Sequence, residues 1–373
     1  MSDNSKIRVL HMGLDDRRGG IESFLYNMAR NVDWNGFQFD FLCYGENPAF
    51  GPELSNMGAS LFKIPDRKNL FAYIHALNLI LSRGYDVLHL HKNSPLDFLP
   101  TLIARRYSAK VVVHAHNTEA NAGGQHAAAI RIGRAAIRSH SDLLLACSNP
   151  AGEWVFGKGV SFKVFPNTIQ LSDYTYDPTA RGKLRFELGI PADAFVVGAV
   201  GRLTKQKNYP FMIRTFARLH AQVPNAFFVA VGEGEARGDV EALAAGLGIS
   251  DSVILLGQRD DMPRLYSAFD CMVVPSLWEG LPFVTLEAQA AGLPCFVSEA
   301  VPEEARVTQL VRVLELDEDL WAKAITALTT QHLSRTALEG VAFDAMRSFD
   351  VAEAGDMLMR IYRGLLASDR GEE

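Results

Sequence analysis

Apolar residues recur along the chain in short runs separated by segments with helical spacing. KIRVLHM, FQFDFLCY, DVLHLH, AKVVVHAH and DLLLACS mark the first half, each followed by a stretch that permits an amphipathic helix. AFVVGAVG, NAFFVAVG, SVILLG, DCMVVPS and LPCFVS repeat the scheme in the second half. Strands alternating with helices predict parallel sheets, so the pattern implies an α/β protein with two sheets of one class. Between them, PNTIQLSDYTYDPTARGKL carries turn residues and few apolar ones, which places a domain junction near residues 171–178.

A length of 373 residues with 48% hydrophobic content allows each domain its own core. No apolar run reaches the roughly 18 residues of a membrane-spanning helix, and MSDNSKIRVLHMG enters the first strand without a leader pattern. A cytoplasmic protein is expected. Cys43, Cys147, Cys271 and Cys295 stand apart with no CxxC pair and read as reduced core residues. The net charge of −6 is uneven: residues 1–172 carry 18 Lys+Arg against 14 Asp+Glu, and the remainder 19 against 29. An acidic second half weighs against nucleic-acid binding. The positive first half suits an anionic acceptor or membrane surface, and equally suits ordinary variation between domains.

Ligands of a doubly wound sheet bind beyond the carboxyl ends of its strands, and the candidate chemistry falls there. LWEGLPFVTLEAQAAGLP (277–294) places Glu279 and Glu287 around a Gly-Leu-Pro break. On one unbroken helix the two would be displaced by about 80°, so the break predicts a helix from near Pro282 to about Ala291, with Glu279 in the loop entering it. The first-turn amides of Phe283 and Val284 then make an anion site between two carboxylates, beside Gly280 and Leu281. Such a site suits a ligand with hydroxyls at both ends and phosphate in the middle, as in a nucleotide sugar. GAVGRLTKQKN (198–208) sets Gly201, Arg202, Lys205 and Lys207 just past a strand, where cations would neutralise a diphosphate or form a solvated basic loop. VGEGEARG (231–238), with Gly232, reads as a turn near a nucleoside base. Gly19 and Gly20 open a helix after the first strand in a pattern that is not GxGxxG.

Other chemistries are less well supported. His89/His91 and His114/His116 each share a strand face, yet no third ligand has metal-site spacing, so no metal is expected. His116, nearer a strand end, suits a single contact to substrate. Asp317-Glu318-Asp319 precedes LWAKAITAL and reads as a helix cap. Ser148 in ACSNPAG lacks the GxSxG elbow of a nucleophile.

Together these motifs resemble the retaining glycosyltransferases of family 4, over almost the whole chain. EGLPFVTLE matches the family's E-x7-E signature, RRGGIE its first-loop glycines, VVVHAHN its active-site histidine segment, and GRLTKQKN its phosphate-binding Arg and Lys. CSNPAGEWVFG and FPNTI resemble the approach to the hinge, where Asn167-Thr168-Ile169-Gln170 departs from the family's Asn-Gly-Ile-Asp. FDVAEAGDMLMRIYRGLL is similar to a C-terminal helix crossing back to the first domain. HAHN and the Cys147 segment most resemble bacterial exopolysaccharide or capsular-polysaccharide enzymes.

The resemblance implies the GT-B architecture, two Rossmann-like domains facing across a cleft. Residues 1–172 would form the acceptor domain, with the crossover helix 349–373, and 173–348 the nucleotide-sugar donor domain. It implies His116, Arg202, Lys207 and Glu279 as catalytic. Donor contacts would come from Gly19, Gly20, Gly201, Arg202, Lys207, Gly232, Glu279, Gly280, Leu281, Pro282, Phe283, Val284 and Glu287, with Glu279 on the sugar and Glu287 on the ribose. No cofactor is obligatory. The donor would be a UDP-sugar or GDP-sugar, and the acceptor a glycan or a polyprenyl-diphosphate-linked sugar. Arg131, Arg134 and Arg138 recur at helical spacing beside Ala127, Ile130 and Ile137, the pattern of an ordinary packed helix with a solvated edge and also of a face that could meet acceptor diphosphate or anionic lipid at the inner side of the membrane. A nucleotide-sugar 2-epimerase and a catalytically silent nucleotide-binding scaffold share the architecture.

Overall fold

A computed structural model describes residues 6–118, 127–331 and 335–367, apart from the side chains of residues 337, 339 and 341. The chain forms two units, Met1–Thr168 with Asp350–Glu373, and Ile169–Phe349. The boundary expected after residue 172 falls at Thr168 because the following turn, Leu171–Tyr174, already belongs to the second unit: Leu171 is buried there and Tyr174 donates to Glu287. Where the chain returns, Ile169 N–H donates to Phe349 C=O at 2.9 Å, tying the two crossing segments together.

In the first unit, strands β1 (Ile7–Leu14), β2 (Phe37–Cys43), β3 (Leu61–Lys63), β4 (Val87–Lys92), β5 (Lys110–Ala115), β6 (Leu143–Ala146) and β7 (Lys163–Val164) form one parallel sheet, ordered 3-2-1-4-5-6-7. Helices α1 (Gly20–Arg30), α2 (Gly51–Asn56), α3 (Leu70–Leu81), α4 (Leu99–Ala104), α5 (Ala127–His140) and α6 (Asn149–Phe156) connect the strands. Gly13, where the pairing of β1 with β2 shifts register, has φ +152°, and a Cβ there would stand 2.9 Å from the His91 Cβ, so the position requires glycine.

The second unit has α7 (Pro178–Glu187), β8 (Phe195–Val200), α8 (Tyr209–Gln222), β9 (Ala226–Val231), α9 (Arg237–Gly246), β10 (Val253–Leu255), α10 (Met262–Ala268), β11 (Cys271–Val274), α11 (Phe283–Ala290), β12 (Cys295–Ser298), β13 (Val311–Leu314), α12 (Glu318–Thr329) and α13 (Arg335–Ala345). Its strands order as 10-9-8-11-12-13, all parallel. Phe211, Phe216, Phe228, Trp321 and Ile325 lie in its core, where α8 and α12 cover the sheet.

The last helix, α14 (Val351–Ala367), belongs to the first unit. Val351, Ala354, Gly355, Leu358, Met359 and Tyr362 recur at three- and four-residue spacing and are its buried face. A Cβ on Gly355 would lie 2.7 Å from the Asn31 carbonyl, so the helix approaches the end of α1 closely only with glycine there.

All ten apolar runs read from the sequence are strands. β3, β7 and β13 were not foreseen. They are short strands at sheet edges, and three, two or four residues paired on one side carry too little apolar pattern to register.

Candidate functional site

The strand order of the second unit reverses between the paired neighbours β8 and β11, the chain running on from each toward opposite edges of the sheet, which is where ligands of such sheets bind, beyond the carboxyl ends. The loop after β8 and the loop after β11 carry the two motifs singled out in the sequence, and hydrogen bonds stitch them together. Leu277 N–H donates to Gln206 C=O at 2.8 Å, Gln206 Nε2 to Trp278 C=O at 2.8 Å, and Asn208 Nδ2 to Pro275 C=O at 3.3 Å. Asn208 bridges a 3₁₀ turn to α8 in the left-handed conformation, φ 57°, which asparagine tolerates better than most residues.

This stitching brings Lys207 Nζ to 2.5 Å from Glu279 Oε1, across 72 residues of sequence. Both side chains are largely buried, at 17% and 7% exposure. Partial burial makes each charge depend on its partner, and an incoming anion can compete with Glu279 for the ammonium. Arg202 is exposed and its guanidinium has no ion-pair partner among the described residues. α11 begins at Phe283 with Pro282 as its N-cap, as expected, so the amides of Phe283 and Val284 lie in a first turn that helical carbonyls cannot satisfy.

Glu287, one turn farther on, accepts a hydrogen bond from Tyr174 at 2.9 Å on Oε1 and from Tyr266 at 2.6 Å on Oε2. Burial pushes its carboxyl above the usual carboxylate range, against the two hydroxyls, which favour the charged form. No sequence pattern marks Tyr174 and Tyr266: one lies in the polar linker and the other among the apolar positions of α10. Gly201 and Gly232 adopt φ +148° and +136°, and a Cβ on Gly232 would stand 2.1 Å from Gly201 C=O. Gly232 therefore lets its turn lie directly on the Arg202 loop, which is its visible role in this unit.

The remaining predicted residues lie in the first unit. Gly19 is the extended N-cap of α1 and Gly20 its first residue. His116 is buried just past β5, its Nε2 2.9 Å from His91 Nδ1, within a group of five buried histidines completed by His11, His89 and His114. Burial holds all five imidazoles below their ordinary range, His11 and His114 down to about 3, so the group is neutral at physiological pH.

On α5, Arg131 and Arg138 are exposed and Arg134 is half-buried. Ile130 and Ile137 are buried rather than presented outward, and Gly133 lies against the Pro95 carbonyl. Arg134 donates to Trp154 C=O at 3.1 and 2.6 Å and Arg138 to Phe156 C=O at 3.1 Å, so both satisfy carbonyls at the end of α6. Of the three, only Arg131 has no such partner among the described residues. Asp317 is the N-cap of α12, as its setting implied, and Ser148, read only as lacking a nucleophile elbow, is the N-cap of α6. The four cysteines are buried and free.

Comparison with known proteins places the chain. Residues 18–173 match the family described as Glycosyltransferase Family 4, and residues 180–328 match Glycosyl transferases group 1. EpsF of Bacillus subtilis (strain 168) is 32% identical over 87% of this chain and 88% of its own. The chain belongs to the family 4 glycosyltransferases. This glycosyltransferase is also 25% identical, over 97% of its length and 98% of the relative's, to the UDP-Gal:alpha-D-GlcNAc-diphosphoundecaprenol alpha-1,3-galactosyltransferase of Escherichia coli. Among solved structures, Anabaena HepE in complex with UDP and glucose superposes with a TM-score of 0.81 at 20% identity, covering 95% of this chain and 99% of that one. WaaG, a glycosyltransferase involved in lipopolysaccharide biosynthesis, gives 0.74 at 20%, covering 94% and 99%. The fold of this glycosyltransferase is thus GT-B. Among its described residues no helix is long and apolar enough to cross a membrane.

Proposed function

We propose that this glycosyltransferase moves a sugar, with retention of configuration, from a nucleoside-diphosphate sugar to a glycan or polyprenyl-diphosphate-linked acceptor in exopolysaccharide or capsule assembly. The observation that carries this reading is the Lys207–Glu279 contact at the switch point of the second sheet, beside Arg202 and the amino end of α11. Lys207, Arg202 and the first-turn amides bind the diphosphate and stabilise its charge as the glycosidic bond breaks. Glu279 accepts hydroxyls of the transferred sugar, and Glu287, oriented by its two tyrosines, accepts the ribose diol. His116 contacts the reacting sugar, and the leaving phosphate takes the acceptor's proton as attack comes from the same face. These steps need no metal.

A UDP-sugar is favoured over a GDP-sugar: the Escherichia coli relative is named for UDP-Gal, and HepE was crystallised with UDP and glucose. The same relative is named for a diphosphoundecaprenol acceptor, which supports a lipid-linked acceptor here and work at the inner face of the cell membrane. The test is incubation with labelled UDP- and GDP-sugars, with and without lipid-diphosphate acceptors. Acceptor-dependent transfer from a UDP-sugar is expected. Donor rearrangement without acceptor would identify an epimerase, and nucleotide binding without turnover a silent scaffold.

A further inference from the structure

We propose that His91, His114 and His116 hold a divalent transition-metal cation such as Zn²⁺ within the first unit. The sequence offers two His-x-His pairs and no third ligand at a recognisable spacing. The sheet removes that difficulty, because β4 and β5 are adjacent and parallel, with His91 directly opposite His114. His116, two residues beyond His114, emerges on the same face.

One ring nitrogen from each of the three lies within 4.8 Å of those of the other two, and His91 Nδ1 is 2.9 Å from His116 Nε2. Tetrahedral zinc with bonds of about 2.0–2.1 Å separates its nitrogen ligands by about 3.3 Å, so small ring rotations complete the site. His114 is already oriented as a ligand. Its Nε2 stands 3.1 Å from Phe165 C=O, and since a carbonyl only accepts, the proton resides on Nε2. Nδ1 then carries a lone pair, and it is buried without a hydrogen-bond partner among the described residues. An imidazole donating one nitrogen to a backbone carbonyl while the other is bare is the arrangement that orients metal-bound histidines.

A second triad, His11, His89 and His91, has similar spacing. It is less suited, because His11 and His89 are wholly enclosed and His89 Nδ1 is engaged by the Tyr362 hydroxyl at 2.6 Å. His116, at 7% exposure, gives the first triad a route from solvent. Three imidazoles without a carboxylate select zinc, copper, nickel or cobalt over magnesium or calcium, and leave a fourth position for water or another ligand. The cation is not needed for sugar transfer. Resting on the proposed role of His116, its binding withdraws that side chain from the reacting sugar and makes Zn²⁺ an inhibitor.

The binding test is independent of activity. Untagged full-length protein, stripped with chelator, is titrated with Co²⁺ alone and then Zn²⁺ alone. One equivalent of Co²⁺ should develop the visible absorption of a low-coordinate imidazole site, be displaced by Zn²⁺, and raise the melting temperature, whereas Mg²⁺ should do neither. His114→Gln should weaken binding at least about tenfold, while His89→Gln, which removes a ligand of the second triad only, should retain it. Absence of both the cobalt spectrum and any zinc-dependent melting shift in the wild-type protein would overturn the proposal, whether or not the variants fold. Loss of binding in His89→Gln with retention in His114→Gln would overturn the assigned triad.

Discussion

Glu279 and Glu287 have the same side chain in different surroundings, and the difference separates their expected phenotypes. Glu279 is paired with Lys207, whereas Glu287 is enclosed by two phenols. Glu279→Gln should lower single-turnover transfer by roughly 10–100-fold while UDP affinity stays near wild type, since a charged hydrogen bond is worth about 1.5–3 kcal/mol. Glu287→Gln should instead weaken UDP binding by roughly one to two decades, measured calorimetrically. Normal transfer by a folded Glu279→Gln protein would reduce that residue to a loop anchor. Glu287 also predicts a pH dependence of stability. Burial raises its folded carboxyl above the ordinary value of 4.5, so the folded state binds the proton more readily than the unfolded one. Its contribution is therefore lost as pH rises from about 4.5 through the raised folded value. The melting temperature of Glu287→Gln should gain on wild type as pH is raised across that window. A constant difference would mean that the tyrosines fully compensate the burial.

At the scale of elements, the structure assigns basic side chains to work that their spacing conceals. Arg134 and Arg138 satisfy carbonyls at the end of α6. Arg134→Gln should thus lower the stability of the first unit by about 1–2 kcal/mol in thermal melts and leave binding to anionic vesicles unchanged. Reduced vesicle binding without a melting change would restore the membrane face. The turn at Gly232–Gly234 supports the Arg202 loop from beneath. A Cβ on Gly234 would come within 2.3 Å of Leu203 C=O, a backbone atom that cannot rotate away. Gly234→Ala should displace that loop and weaken UDP binding although it removes no group from the ligand. Unaltered UDP affinity would show that the loop position is immaterial to the diphosphate.

For the whole molecule, the return of the chain after Phe349 makes the first unit discontinuous in sequence. Val351, Leu358 and Tyr362 complete its core, and Tyr362 supplies the hydroxyl that meets His89. A chain ending at residue 349 should lose the melting transition of the first unit, while Ile169–Phe349, whose own core is intact, should still unfold cooperatively and bind UDP. Full retention of both transitions would show α14 to be dispensable.

The local apolar runs, glycine and proline breaks and helix caps are interactions between near neighbours, so the α/β class, ten of the strands, α11 and the cap at Asp317 were legible in order of sequence. The family signature made Glu279, Glu287, Arg202 and Lys207 legible as candidates. Other features depend on which strands become neighbours and where chain crossings occur. Lys207 meets Glu279 because β8 and β11 adjoin, and Glu287 is held by tyrosines from two separate elements. The histidine pairs converge because β1, β4 and β5 lie side by side. Arg134 and Arg138 of α5 turn to α6 only because their apolar neighbours are buried. Sequence spacing determines which side chains share an element's face; long-range pairing and burial determine which faces meet, and therefore which charges and lone pairs do.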